Sequence, residues 1–196
     1  MKKKDQYYNF CEKASCCREC SLGCELVDYY DPHVLGQGNL DAKLFFIAEA
    51  PGKNETIDRR PLTSSDKSGA IYNKLLTSLG LTRDEVFTTN CLVCRPPGDR
   101  PPLPYEFLTC LPFLMTQLEL VKPRLVVSFG RIAASTFLSN FKLTRDHGKI
   151  IKSKSFDVDV FPLYHPNYIG CYAQDSKRQE FKVDITNLKT ILKGYI

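Results

Sequence analysis

Four short apolar runs, set apart by amphipathic stretches, constrain this chain more than any other feature. Leu44-Phe-Phe-Ile-Ala48, Val86-Phe-Thr-Thr89, Leu125-Val-Val-Ser-Phe129 and Val158 to Tyr164 each have the length and side-chain type of a buried strand. The stretches between them repeat at helical spacing. Ser68 to Leu79 puts Ile71, Leu75, Leu76 and Leu79 on one face, and Gly80 supplies a stop. A Pro-rich loop, Arg95 to Pro104, leads into a helix from Tyr105 toward Leu120, which Pro112 should kink or restart because it has no N–H to donate. Small residues carry a helix from Arg131 to Leu138. Lys177 to Leu192 closes the chain with Phe181, Ile185, Leu188 and Leu192 on its buried side. Strands alternating with helices predict an α/β fold, an open, mostly parallel sheet flanked by helices.

The 196 residues suit one domain with an ordinary core. Residues 1–42 follow a different rule: they are cysteine-rich and weakly periodic, and read as an irregular lobe held by metal. With 43% hydrophobic and 25% charged residues, the composition excludes disorder, collagen-like repeats and coiled coil. No apolar stretch approaches the ~20 residues of a membrane span. The N-terminal Met-Lys-Lys-Lys lacks the apolar core of a secretory signal. A soluble, cytoplasmic protein with no membrane partner is expected, with a monomer as the simplest state. The net charge of +5 permits a polyanionic partner without requiring one.

Nine cysteines form an odd number, and in a reducing compartment cysteines bind metal or catalyse more often than they pair. Cys17-Arg-Glu-Cys20 is a C-x-x-C, and Cys94 and Cys110 form a second pair with fifteen residues between them. Together they can make a four-thiolate site for zinc or for an iron–sulfur cluster, and spacing alone does not separate these. The plainer reading is that Cys94 and Cys110 are small buried apolar residues. Cys11, Cys16, Cys24, Cys91 and Cys171 are assigned to packing, with Cys24 the substitute ligand for Cys20.

In an open α/β sheet, ligands bind beyond the carboxyl ends of the strands. There the chain places Glu49-Ala50-Pro51-Gly52 with Glu55 close behind, then Asn90, then His165-Pro166. Asn offers a donor and an acceptor to the edge of an amide-like ring. His can stabilise an anion developing on a leaving group. Taken singly, Asn90 would cap a turn and His165 would be a satisfied surface residue; their shared placement argues for a joint role.

Cys17-Arg-Glu-Cys20-Ser-Leu22, Val34-Leu-Gly-Gln-Gly38, Ala48-Glu-Ala-Pro-Gly52, Thr89-Asn90, Cys94-Arg-Pro-Pro-Gly-Asp-Arg100, Cys110 and Tyr164-His-Pro166 follow one another in an order and spacing that resembles the family 4 uracil-DNA glycosylases. The resemblance runs from Cys17 to the C-terminal helix. It implies a single glycosylase-like domain over residues 1–196, with residues 1–42 contributing two of the cluster cysteines. It implies a [4Fe-4S] cluster on Cys17, Cys20, Cys94 and Cys110, and as substrate uracil flipped out of DNA. Asn90 would bond the uracil edge and His165 would stabilise the departing uracil anion. Ala50, Pro51 and Gly52 would line the sugar side. Glu49 and Glu55 are the candidates for a general base.

Some positions depart from the family pattern. Ala48 replaces a Gly. Arg59-Arg60-Pro61-Leu62 puts Leu62 where an aromatic stacks on the base, and Thr63 to Lys67 is about two residues long. Asp99 sets a negative charge where DNA phosphate lies, and Ala50 stands where other families carry a water-activating Asp. These departures suit a second reading, a catalytically weak or inactive glycosylase-fold protein that binds uracil or a modified base in DNA. A third is a zinc-stapled interaction domain. Candidate DNA-phosphate contacts are Arg100, Lys149, Lys152, Lys154, Lys177 and Arg178.

Overall fold

Apolar runs of this kind need cover on both faces, as parallel sheets do. The computed structural model, which describes residues 2–24 and 31–195, supplies that cover. Among the described residues, β1 (Gln37–Gly38), β2 (Leu44–Ala48), β3 (Phe87–Asn90), β4 (Leu125–Phe129), β5 (Ile151–Lys152) and β6 (Asp159–Leu163) form a six-stranded sheet in the order β1-β3-β2-β4-β6-β5. The four central strands run parallel, and the two-residue edges β1 and β5 are antiparallel. Successive side chains point to opposite faces. Phe46 accordingly packs with Tyr72, Phe129 and Phe161 on one side. Phe45 packs with Phe87, Leu114 and Phe137 on the other.

The flanking helices are α1 (Lys3–Ser15), α2 (Lys53–Asp58), α3 (Lys67–Leu79), α4 (Pro104–Val121), α5 (Gly130–Phe137), α6 (Leu143–Asp146), α7 (Pro166–Cys171) and α8 (Asp175–Leu192). The expected alternation of strands and helices is present, with boundaries moved by one or two residues. Two expectations need correction. The N-terminal segment is not irregular throughout: α1 packs against α4, where the Phe10 ring meets that of Phe113, and its Tyr7 ring lies edge-on to Phe87. Its apolar positions are too few to stand out among Lys and Asp. Pro112 does not restart α4, which runs unbroken through it. The carbonyl it leaves unpaired, four residues back, belongs to Leu108, whose residue is 65% exposed, so water replaces the lost donor. Pro162 lies inside β6, and its carbonyl accepts from Gly148 N–H at 2.9 Å. A strand residue's N and O point the same way, so the missing donor of Pro162 also faces that edge and not β4.

Gly69, in the first turn of α3, lets the helix approach the chain at Thr63. A Cβ there would fall 1.6 Å from the Thr63 carbonyl oxygen. Gly69→Ala is expected to cost about 1–3 kcal/mol or more by overpacking. A thermal melt should show a midpoint lower by about 2–4 °C for each kcal/mol lost.

Candidate active site

Parallel strands that end level deliver their next residues to one place. Ala48 pairs with Asn90, and Phe129 with Leu163. Glu49 therefore follows β2, Asn90 closes β3 and His165 follows β6 at the same edge of the sheet. There a cavity of about 400 Å³ is lined by Glu49, Ala50, Pro51, Gly52, Glu55 and His165 among others. The Pro51-Gly52 turn carries the chain from β2 into α2, whose first turn points Glu55 inward.

Asn90 is buried beside Glu55, and its Nδ2 donates to Glu55 Oε2 at 2.9 Å. The nearby backbone N–H groups of Leu62 and Gly52 also favour the charged Glu55 carboxylate. Burial outweighs these donors and pushes the Glu55 pKa up to about 7. Asn90 Oδ1 is buried with no partner among the described residues. A carboxylate on the NH2 side fixes the amide with its oxygen as the acceptor left over.

His165 is partly buried, and its Nδ1 accepts from Asn167 N–H at 3.1 Å. Burial pushes its pKa down to about 4, so the ring is neutral at pH 7 and carries its proton on Nε2. The preceding Tyr164 anchors that backbone: its OH donates to Glu180 at 3.1 Å, and its ring lies 4.6 Å from that of His147. Glu49 is half-buried. Burial raises its pKa, and the nearby Arg131 charge opposes the rise.

Leu62 is corrected: at 1% exposure its side chain belongs to the core with Phe46 and Tyr72 and does not line the cavity. Its φ is +47°, and Arg83 donates to its carbonyl, so the turn that would aim residue 62 at a base aims it inward instead. Only its N–H reaches the site.

The cation candidates also separate. Arg100 lines the cavity but is held by Glu106 at 2.6 and 2.9 Å. Asp99 pairs with Arg95 at 2.7 Å, which offsets its charge. Lys177 is paired with Glu180, and Arg178 donates to the Ile169 carbonyl and to Asp175. Lys149 donates to the Arg145 carbonyl. Lys152 pairs across from Asp159 at the start of β6, and Lys154 lines a cavity with Pro123 before β4. These last two lie at the wrong end of the sheet. The free cations at the mouth are Lys53 and Lys67, both exposed and without an ion pair among the described residues. Sequence reading missed them, although a lysine opening a helix, at the positive end of its dipole, was the available signal.

Cys94 and Cys110 are buried. Burial raises the Cys94 thiol pKa, and the thiols of Cys110, Cys20 and Cys17 add to the rise, so all four share one neighbourhood. Among the described residues no three His, Cys, Asp or Glu side chains close on a single ion. Cys24 is exposed, with its Sγ on the Cys20 carbonyl, and is not among the thiols acting on Cys94. Packing describes buried Cys91 but not Cys16 or Cys171, which are exposed.

Residues 35–189 match the family profile described as Uracil DNA glycosylase superfamily. The chain is 33% identical over 179 residues to the Type-4 uracil-DNA glycosylase of Archaeoglobus fulgidus, covering 88% of this chain and 86% of that protein. It is 32% identical over 166 residues to the Type-4 uracil-DNA glycosylase of Thermotoga maritima, covering 82% and 83%. To that of Sulfurisphaera tokodaii it is 36% identical over 151 residues, covering 73% and 68%.

The packing of the site has two measurable consequences. Glu55 has a folded pKa near 7 against an ordinary 4.5. The folded state therefore holds the extra proton, and stability falls as pH rises from about 4.5 through about 7. Melting curves of wild type and Glu55→Gln should diverge in the variant's favour over that window; parallel curves would contradict the shift. Leu62→Phe should lower stability by about 1–3 kcal/mol, since it overfills a closed core. A chemical denaturation midpoint checks this, and a gain in stability would place residue 62 elsewhere.

Proposed function

The chain belongs to the uracil-DNA glycosylase superfamily, and from that premise we propose that it hydrolyses the N-glycosidic bond of uracil in DNA, as the first step of base excision repair. The observation that carries this is the oriented Asn90 Oδ1, unpartnered among the described residues and buried behind Glu55, which lines the same cavity as a neutral His165. A flipped uracil presents N3–H to Asn90 Oδ1 and O4 to the second Nδ2 proton. Cytosine presents an acceptor at N3 and an amino group at C4, so both contacts become mismatched. Glu55 holds Asn90 in the orientation that makes this distinction.

As the bond from C1′ to N1 breaks, the electron pair stays with the base and the sugar becomes positive. Nε2–H of neutral His165 donates to the uracil oxygen on which the negative charge gathers. Glu49, half-buried at the cavity wall, faces the sugar side, where its carboxylate favours the positive charge and can take the proton of the attacking water. Glu55 is less suited to be the base, because its carboxylate is buried and already takes the Asn90 amide.

Cys17, Cys20, Cys94 and Cys110 suit a [4Fe-4S] cluster that staples the N-terminal segment to the loop before α4. Support comes from the all-sulfur donor set and from four thiols that act on one another. A cluster spaces its thiolates more widely than one ion does. Protein purified without oxygen should contain iron and sulfide and absorb broadly in the visible; stoichiometric zinc alone would contradict this.

Excision should be measured on oligonucleotides carrying uracil, hydroxymethyluracil, hypoxanthine or xanthine. Uracil is expected to be released fastest. Asn90→Ala should slow release by about fivefold to 150-fold, since a buried unpaired edge costs about 1–3 kcal/mol. Tight binding without base release would instead identify a binding protein. Lys67→Ala should weaken DNA uniformly across sequences and reduce the salt slope by about one unit. A salt dependence unchanged by this substitution would remove Lys67 from the phosphate path.

A further inference from the structure

One short segment, Asp31 to Val34, touches both the cysteine lobe and the helix that carries Glu55. His33 is 3% exposed. Its Nδ1 lies 2.5 Å from Asp31 Oδ1, and its Nε2 lies 3.2 Å from the Cys17 carbonyl oxygen. Its backbone bridges Cys94, and on either side Arg95 N–H donates to the Pro32 carbonyl at 3.0 Å and Val34 N–H to the Val93 carbonyl at 2.6 Å. The second Asp31 oxygen takes the Arg59 guanidinium at 3.0 Å, and the same guanidinium donates to the His33 carbonyl at 2.9 Å.

Arg59 is the left-handed cap of α2, with φ +54°. Its carbonyl accepts the Gln37 side-chain amide at 2.6 Å, and the next N–H, of Arg60, donates to the Glu55 carbonyl at 3.1 Å. One polar chain thus runs from the backbones of two cysteines to the turn that holds Glu55.

We infer that Asp31 and Arg59 are positioning residues that couple the four-thiol lobe to α2, so that the group held by the thiols and the uracil held through Asn90 and Glu55 stabilise one another. This rests on the glycosylase reading above. An exposed ion pair alone contributes little. Here, however, the Asp31 carboxylate is fixed by three donors, the Arg59 guanidinium and the ring and backbone N–H of His33, and so has one geometry. Coupling between two sites is reciprocal: a lobe that improves base binding is itself protected by the bound base. A merely structural staple would lower stability without making the lobe sensitive to the ligand.

The test is the rate at which anaerobically purified protein loses its visible absorbance to an iron chelator. It is measured with and without saturating DNA carrying a non-hydrolysable 2′-fluoro-deoxyuridine. In wild type the DNA is expected to slow the loss about fivefold or more. In Arg59→Met, and in Asp31→Asn as a second variant that keeps the side-chain shape, the loss should be faster and the protection by DNA should fall close to none. Arg59→Lys should restore part of it. Equal protection in wild type and both variants would overturn the inference, as would wild type that binds the DNA with no change in rate. Wild type that fails to bind the DNA, or that carries no iron, would overturn the underlying reading and the inference with it.

Discussion

The parallel alignment of β2, β3, β4 and β6 is the constraint on which the rest depends. Because the strands end level, Glu49, Asn90 and His165, far apart in the chain, emerge at one edge. Parallel strands joined through helices are covered on both faces, which is why the runs are so uniformly apolar. Gly130 follows β4 with φ +84°, where an L side chain would be strained, and it lies against His165, to whose Cβ an added Cβ would come in ordinary contact at 3.4 Å. Sheet packing and site geometry are therefore one problem, not two.

On that edge the polar groups are ordered by depth. The innermost pair, Glu55 and Asn90, sits where burial disfavours a charged carboxylate, and the Asn90 amide donates to it. What results is an amide with one fixed orientation, able to distinguish a ring that donates at N3 from one that accepts. His165 and Glu49 lie on the cavity wall, where the proposed reaction would develop charge. Outside them come the exposed lysines Lys53 and Lys67.

Much of this was legible in the residues. The strands announced themselves because a strand buried on both faces must be apolar at every position, as Leu44 to Ala48 is. Glu49, Glu55, Asn90 and His165 stood out because polar residues directly after such runs have few structural uses. Other features were not legible for equally physical reasons. Leu62 occupies the place of an aromatic, yet a left-handed turn directs its side chain into the core, and backbone handedness at a single non-glycine residue leaves no sequence signal. The lysines at 152 and 154 look like phosphate contacts until strand direction places them at the far end of the sheet. Helix α1 was hidden by its charges, since only Phe10 and Ala14 are buried along its length. The strap from Cys17 to Arg59 joins segments too far apart in the chain for any spacing to suggest it.

Binding of free bases to the wild-type protein tests the role of the Asn90 edge most directly, because it isolates that edge from DNA contacts and from catalysis. Uracil, 3-methyluracil and cytosine differ little in size and stacking but present a donor, a methyl group and an acceptor at the same ring position. Uracil is expected to inhibit excision competitively, while 3-methyluracil and cytosine bind at least about tenfold more weakly, as one mismatched buried hydrogen bond requires. Equal inhibition by all three would contradict a base-reading Asn90.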